Sequence, residues 1–311
     1  MKLCSFLDLT GTPRVGVVTD RGVVDVTDQV PAEGIGGPMR RLLAARSDLR
    51  ELRVDGPVVR VPRLLAPVPD PSKIVAAPVN YVDHQVEMNQ DSHIDSLGIF
   101  LKAPSSLIGG GGVVELPYDD RRFDQEGELA VVIGRRASHV PVEQALDFVA
   151  GYTCLLDMTM RGGEDRSVRK SFDTFTPVGP HLVTPDEVGP LGQIELRTWV
   201  GGILRQRAEI GDLIWNVPAL LAYVSSVMVL EPGDIVATGT PAGVGPVHDG
   251  DEVTVEITHI GRLSVTVTDQ GAVPCPTRGR DKGPKPPAEL TPVSERVRNP
   301  LTALGHHGSN G

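Results

Sequence analysis

Apolar positions in this chain fall mostly in short runs and two-residue alternations, and only rarely at helical spacing. Near the start, residues 15–18 and 23–26 are valine-rich and flank Thr19-Asp20-Arg21-Gly22, which predicts a hairpin with glycine at its turn. Residues 39–52 repeat apolar side chains three to four apart and predict a short helix. Pro62, Pro67, Pro69 and Pro71 then hold the backbone in an extended connector. Further on, apolar and β-branched runs predict strands at 74–76, 129–133, 194–200, 234–238, 253–258 and 263–267. Gly201-Gly202 supplies the turn of a second hairpin over 198–204. Helical spacing returns only at 142–149 and 217–229. Many strands and few helices predict an α+β, β-rich class with a rolled or sandwiched mixed sheet, not a doubly wound one.

The same pattern divides the chain into a small N-terminal β domain over 1–68, a main domain over 69–273, and a tail over 274–311. The tail holds seven Pro and five Gly in 38 residues and no aromatic side chain, so it has little apolar surface to offset its chain entropy. It is expected to be mobile. One feature stands against that: Leu290, Val293, Val297, Leu301 and Leu304 recur three to four apart, as in a short docking helix interrupted by Pro300. His306-His307 in such a segment is not read as a metal clip.

Composition narrows the function. With 311 residues the chain has ample material for a core. A net charge of −10 argues against nucleic acid and anionic membranes as partners. No stretch approaches the ~18 apolar residues of a spanning helix, and the first residues do not read as a signal peptide. Cys4, Cys154 and Cys275 are widely spaced, without a C-x-x-C, which fits reduced thiols and a cytoplasmic location.

The candidate chemistry centres on Glu126 and Glu128, in Phe123-Asp124-Gln125-Glu126-Gly127-Glu128-Leu129. On a strand, residues two apart share a face, so these two carboxylates converge. Like charges that close need a positive partner, and a hard divalent cation suits oxygen ligands. Taken alone, the pair is equally met by one solvated Glu and one paired with Arg121 or Arg122. Asp157 closes the apolar run Leu155-Leu156, where a lone carboxylate is costly to bury. His84 and Glu87 lie three apart and share a face on one helical turn, as a tautomer-fixing pair or a surface one.

Six ordered blocks then carry a resemblance. They are Asn80-Tyr81-Val82-Asp83-His84, Phe100 to Gly109 (FLKAPSSLIG), the Glu126/Glu128 block, Gly151-Tyr152-Thr153 leading to Asp157, Lys170-Ser171-Phe172-Asp173-Thr174-Phe175, and Thr238 to Gly245 (TGTPAGVG). In this order, from about residue 69 to 267, the chain resembles the fumarylacetoacetate hydrolase family, in its branch of bacterial acylpyruvate hydrolases and 2-hydroxyhepta-2,4-diene-1,7-dioate isomerases. The resemblance implies a mixed β-roll behind a small N-terminal domain, and a homodimer. It implies Mg²⁺ or Mn²⁺ held by Glu126, Glu128 and Asp157, with His84, Glu87 and Lys170 as catalytic residues. Arg161, Thr240 and Lys102 become candidates for binding a small 2-oxo acid. The implied reaction is cleavage of a carbon–carbon bond in an acylpyruvate-like 2,4-dioxo acid through a metal-bound enolate. Decarboxylation of a 2-oxo acid, or isomerisation of an unsaturated 2-hydroxy diacid, is the alternative on the same metal. A catalytically inactive binding protein is the reading from another class, and the intact acidic and basic residues argue against it. The chain departs from the family pattern at Met160 and Gly162 beside Arg161, at Pro78-Val79, and at Glu209-Ile210-Gly211.

Overall fold

The computed structural model describes residues 1–46, 48–283, 286–287 and 290–293. Its centre is a large, mostly antiparallel sheet. The main path runs Gly22–Asp25, Pro13–Thr19, Lys2–Leu7, Thr176–Val183, Val149–Leu156, Gly127–Ile133, Ile235–Ala237, Ile74–Ala76, Phe100–Lys102. A second sheet of five strands runs Ile203–Glu209, Glu195–Val200, Glu252–Ile257, Gly261–Thr268, Val113–Glu115. A small third sheet joins Thr159–Met160, Phe123–Gln125 and Gly245–Pro246.

The strand Gly127–Ile133 shows why its sequence is uninterruptedly apolar: every residue in it is buried. Leu129, Val131 and Ile133 point into the main core, where they meet Leu196, Val253, Val255, Leu263 and Val265 of the five-stranded sheet. Ala130 points to the other face, against Ile74, Ala76, Leu155 and Ala237. Helix Val217–Val227 covers one end of the main core with Val217, Leu220, Leu221 and Val224. Asn216 starts it, accepting from Ala219 N at 3.0 Å.

Most predicted elements are present, with informative differences. The helix expected over 39–52 stops at Ala45, and a separate 3-10 turn follows at Leu49–Glu51. Arg46 is already extended, and Asp48 starts the following turn by accepting from Arg50 N. The helix expected at 142–149 is a 3-10 helix, Val142–Phe148, and Val149 already belongs to the next strand. Lys2–Leu7 pairs antiparallel with the end of Thr176–Val183, so the large sheet takes strands from both sides of residue 68. Leu3, Val15 and Val17 share a cluster with Val132, Ala150 and Leu182.

In the expected tail, Cys275 N donates to Asp120 Oδ1 at 2.9 Å and Gly163 N donates to Gly279 O at 2.9 Å. Arg121 bonds both Thr277 and Cys275. A composition-based reading had no way to anticipate these contacts. The rest of the expected tail helix, with His306 and His307, lies outside the described residues.

Candidate active site

Register explains why three carboxylates meet. Gly127 pairs with Leu156, so Glu126 and Asp157 form the next opposed pair, and Asp157 N donates to Glu126 O at 2.8 Å. Opposed residues share a face, as do residues two apart on one strand. Glu126, Glu128 and Asp157 are all buried, and one oxygen from each lies within 4.8 Å of the others. Gly127 between them faces the second sheet, where a Cβ would run into the Thr198 hydroxyl.

The three carboxylates have unequal surroundings. Lys170, following the short helix Arg166–Arg169, donates to Glu126 Oε2 at 2.6 Å, Asp157 Oδ2 at 2.5 Å and the Thr159 hydroxyl at 2.8 Å. Arg161 spans Asp124 Oδ2 at 2.5 Å and Glu126 Oε1 at 3.0 Å. Burial raises the pKa of Glu126, but Lys170 and then Arg161 outweigh it and hold the carboxyl well below its usual range. Glu128 accepts only from Gly239 N, at 2.8 Å, among the described residues. Burial, then the charge of Asp157, pushes the Glu128 carboxyl well above its usual range. Buried acids with oxygen donors only, one of them lacking a cation, have the make-up of a site for a hard divalent ion.

His84 and Glu87 do share a turn, on helix Val82–Glu87, with His84 Nδ1 3.0 Å from Glu87 Oε2. The other Glu87 oxygen accepts from Gly243 N at 2.8 Å and from the Thr291 hydroxyl at 2.9 Å. Burial raises the Glu87 pKa, yet the bond and charge of His84 together with the Gly243 and Thr291 donors outweigh it, and the net shift is downward. With Nδ1 engaged, Nε2 is the ring nitrogen left for chemistry. His84, Glu126, Glu128, Arg161, Lys170 and Thr240 line one cleft.

Two of the expected substrate contacts, Lys102 and Thr240, make hydrogen bonds within the protein. Lys102 is fully buried and donates to Asp157 Oδ1 at 2.5 Å, Lys170 O at 2.5 Å and Phe175 O at 3.2 Å. An ammonium has three N–H bonds, so none remains for a substrate and Lys102 holds Asp157 instead. Burial lowers its pKa, and Asp157 opposes that shift. The Thr240 hydroxyl donates to Gly127 O at 2.9 Å and accepts from Gln206 Nε2 at 2.7 Å, so it fastens its loop to the strand. Gly239 at the start of that loop has φ +97° and passes so close to Asn80 that a Cβ would fall 2.7 Å from the Asn80 Cβ.

Asp124, Asn80, Gln206, Arg166, Arg169 and Thr291 were not singled out from sequence. Asp124 was within reach, since it continues the two-residue alternation ahead of Glu126. Gln206 was not, because its bonds to Gly127 N and Thr240 join residues 79 and 34 positions apart.

Residues 73–268 match the family model for the fumarylacetoacetate (FAA) hydrolase C-terminal domain. The chain is 42% identical over 288 residues to a maleylpyruvate hydrolase of Aquipseudomonas alcaligenes, a match covering 86% of this chain and 99% of that one. It is similar to the crystal structure of maleylpyruvate hydrolase from Sphingobium sp. SYK-6 in complex with manganese(II) and pyruvate: TM-score 0.73, 38% identity, covering 86% of this chain and 99% of that one. It is also similar to a 2-hydroxyhepta-2,4-diene-1,7-dioate isomerase from Mycobacterium marinum: TM-score 0.69, 31% identity, covering 87% and 99%. A family model matching residues 73–268, a shared mixed-sheet fold and a match along most of the chain lead to one assignment: this protein belongs to the fumarylacetoacetate hydrolase family.

Proposed function

We propose that the protein is a divalent-metal-dependent hydrolase that cleaves a carbon–carbon bond in an acylpyruvate-like 2,4-dioxo acid. The observation that carries this is the convergence of Glu126, Glu128 and Asp157 at a cleft that Glu126 and Glu128 line together with His84, the partner of Glu87. Glu126, Glu128 and Asp157 would hold Mg²⁺ or Mn²⁺, which when bound supplies Lewis-acid polarisation of the 2-oxo acid end of the substrate. Manganese in a similar hydrolase supports this choice of ion.

The chain's own residues then do the acid–base work. Glu87 fixes the His84 tautomer, and His84 Nε2 takes a proton from a water that attacks the 4-oxo carbon. The C3–C4 bond breaks, the acyl part leaves as a carboxylic acid, and the electron pair stays on the pyruvate part as an enolate. The proton held by His84 completes pyruvate at C3. Lys170 and Arg161 line the same cleft, and their charges lower the cost of negative charge developing on substrate oxygens.

The similarity to a diene-dioate isomerase keeps a second reading open on the same site, isomerisation or decarboxylation without an attacking water. An inactive binding protein would have no use for the buried triad and the oriented histidine together. Acylpyruvates, oxaloacetate and unsaturated 2-oxo diacids, assayed with Mg²⁺, Mn²⁺ and EDTA, separate the readings. Metal-dependent release of pyruvate from an acylpyruvate is the expected result, and turnover of oxaloacetate or dienes alone would replace hydrolysis by the second reading. A homodimer is also proposed, on the family likeness. Three unpaired cysteines support a reducing compartment such as the cytoplasm, and no described helix is long and apolar enough to cross a membrane.

A further inference from the structure

The cleft carries more positive charge than the metal site uses. Besides Arg161 and Lys170, its wall includes Arg166 and Arg169, both on the short helix Arg166–Arg169. Arg169 is 7% exposed, and its hydrogen bonds go to two neutral carbonyls, Glu164 O at 2.8 Å and Met160 O at 3.3 Å. The Glu164 side chain is paired with Arg121, with Nη2 to Oε2 at 2.7 Å. Arg166 interacts with Asp165, whose carboxylate is spent on capping the helix through Ser167 N at 2.8 Å. Burial, then the like charge of Arg161, bears against the charged form of Arg169; Glu126 and Asp157 favour it from a distance without bonding it, and Arg166 opposes it, with a net downward shift. A buried guanidinium without a carboxylate partner is costly to keep. It becomes favourable when an anion arrives, because the planar fork matches a carboxylate with two bonds.

We propose that Arg166 and Arg169 form a second anion subsite in the cleft, which takes the distal carboxylate of a dicarboxylic substrate whose 2-oxo acid end lies at the carboxylate triad. The inference rests on the proposed 2,4-dioxo acid chemistry and narrows it to diacids. The two arginines are specificity residues: they touch the end of the substrate away from the bond that breaks.

The test uses the full chain with Mn²⁺ and a matched pair of 2,4-dioxo acids that differ only in a terminal carboxylate. Wild type is expected to prefer the diacid through KM. In Arg169→Gln and Arg166→Gln that preference should fall by about tenfold to a hundredfold, the range for hydrogen bonds to charged groups, with kcat on the diacid changing less. Arg166 is half-buried, so its variant keeps the test alive if Arg169→Gln fails to fold. Arg169→Lys should recover only part of the preference, since one point charge replaces a fork. Equal losses on both acids, or a wild type that prefers the monoacid, would overturn the subsite while leaving hydrolysis standing. A wild type that cleaves neither acid removes the hydrolase reading itself, and the subsite with it.

Discussion

Glu128 and Asp157 belong to one cluster, yet replacing them should have opposite effects on the metal-free protein. Asp157 anchors two lysines, so Asp157→Asn strands buried cations and should destabilise the fold by roughly 3–5 kcal/mol, as thermal melting would show. Among the described residues no cation bonds Glu128, and its folded pKa is raised above the ordinary 4.5 by burial and by Asp157, against the pull of Lys170. Below about 4.5 it is protonated in both states; as pH rises past that value the unfolded state loses the proton more readily, so stability is lost. Metal-free Glu128→Gln should therefore melt higher than the metal-free wild type at neutral pH, with the gap closing as pH falls toward 4.5. A gap independent of pH would show that the carboxyl carries no such penalty. With metal present the order reverses, because Gln offers a weaker ligand and calorimetry should show lost Mn²⁺ affinity. His84→Ala tests the other half of the site. Its kcat should fall by about 10²–10⁴ with metal affinity nearly unchanged, if a general base drives the reaction; a rate that survives would favour a reaction without attacking water.

At the scale of elements, what could be read from sequence was what repeats locally. A strand alternates every second residue, so the convergence of Glu126 and Glu128 followed from their spacing alone; one helical turn likewise put His84 beside Glu87. The clamp on Asp157 could not be read that way. Lys102 reaches it from 55 residues away, and only the pairing of Ile74–Ala76 with Phe100–Lys102 at the sheet edge brings that ammonium inward. The exit of Lys2–Leu7 onto Thr176–Val183 is hidden for the same reason, since strand order is set by long-range packing rather than by local pattern. Gly127 joins the two kinds of information. Its neighbours on the strand are acids for the cleft, while its own missing side chain admits Thr198 and Gln206 from the second sheet. Gly127→Ala should push these sheets apart and cost roughly 1–3 kcal/mol in thermal or denaturant unfolding. It should also weaken Mn²⁺ binding, because both flanking ligands move with the backbone; an alanine variant with wild-type stability and affinity would show that the sheets have room to spare.

On the scale of the whole molecule, the ends of the chain are built into it unequally. The N-terminal strands extend the large sheet and share its core, so removing them would open an edge and expose Val132 and Leu182. The segment after residue 273 contributes no strand to any sheet among the described residues. It does reach the site: Thr291 gives Glu87 one of its donors, and Leu290 lies against Gly245. Deleting everything after residue 273 should therefore leave the fold and the proposed dimer intact by circular dichroism and light scattering, with Mn²⁺ affinity unchanged. Turnover should fall by about threefold to tenfold, the worth of one net hydrogen bond that helps orient the histidine's partner. Thr291→Val should reproduce most of that fall if the hydroxyl is responsible. A truncated chain with full turnover would show that Gly243 alone suffices to hold Glu87, whereas a monomer would place the segment at the subunit interface.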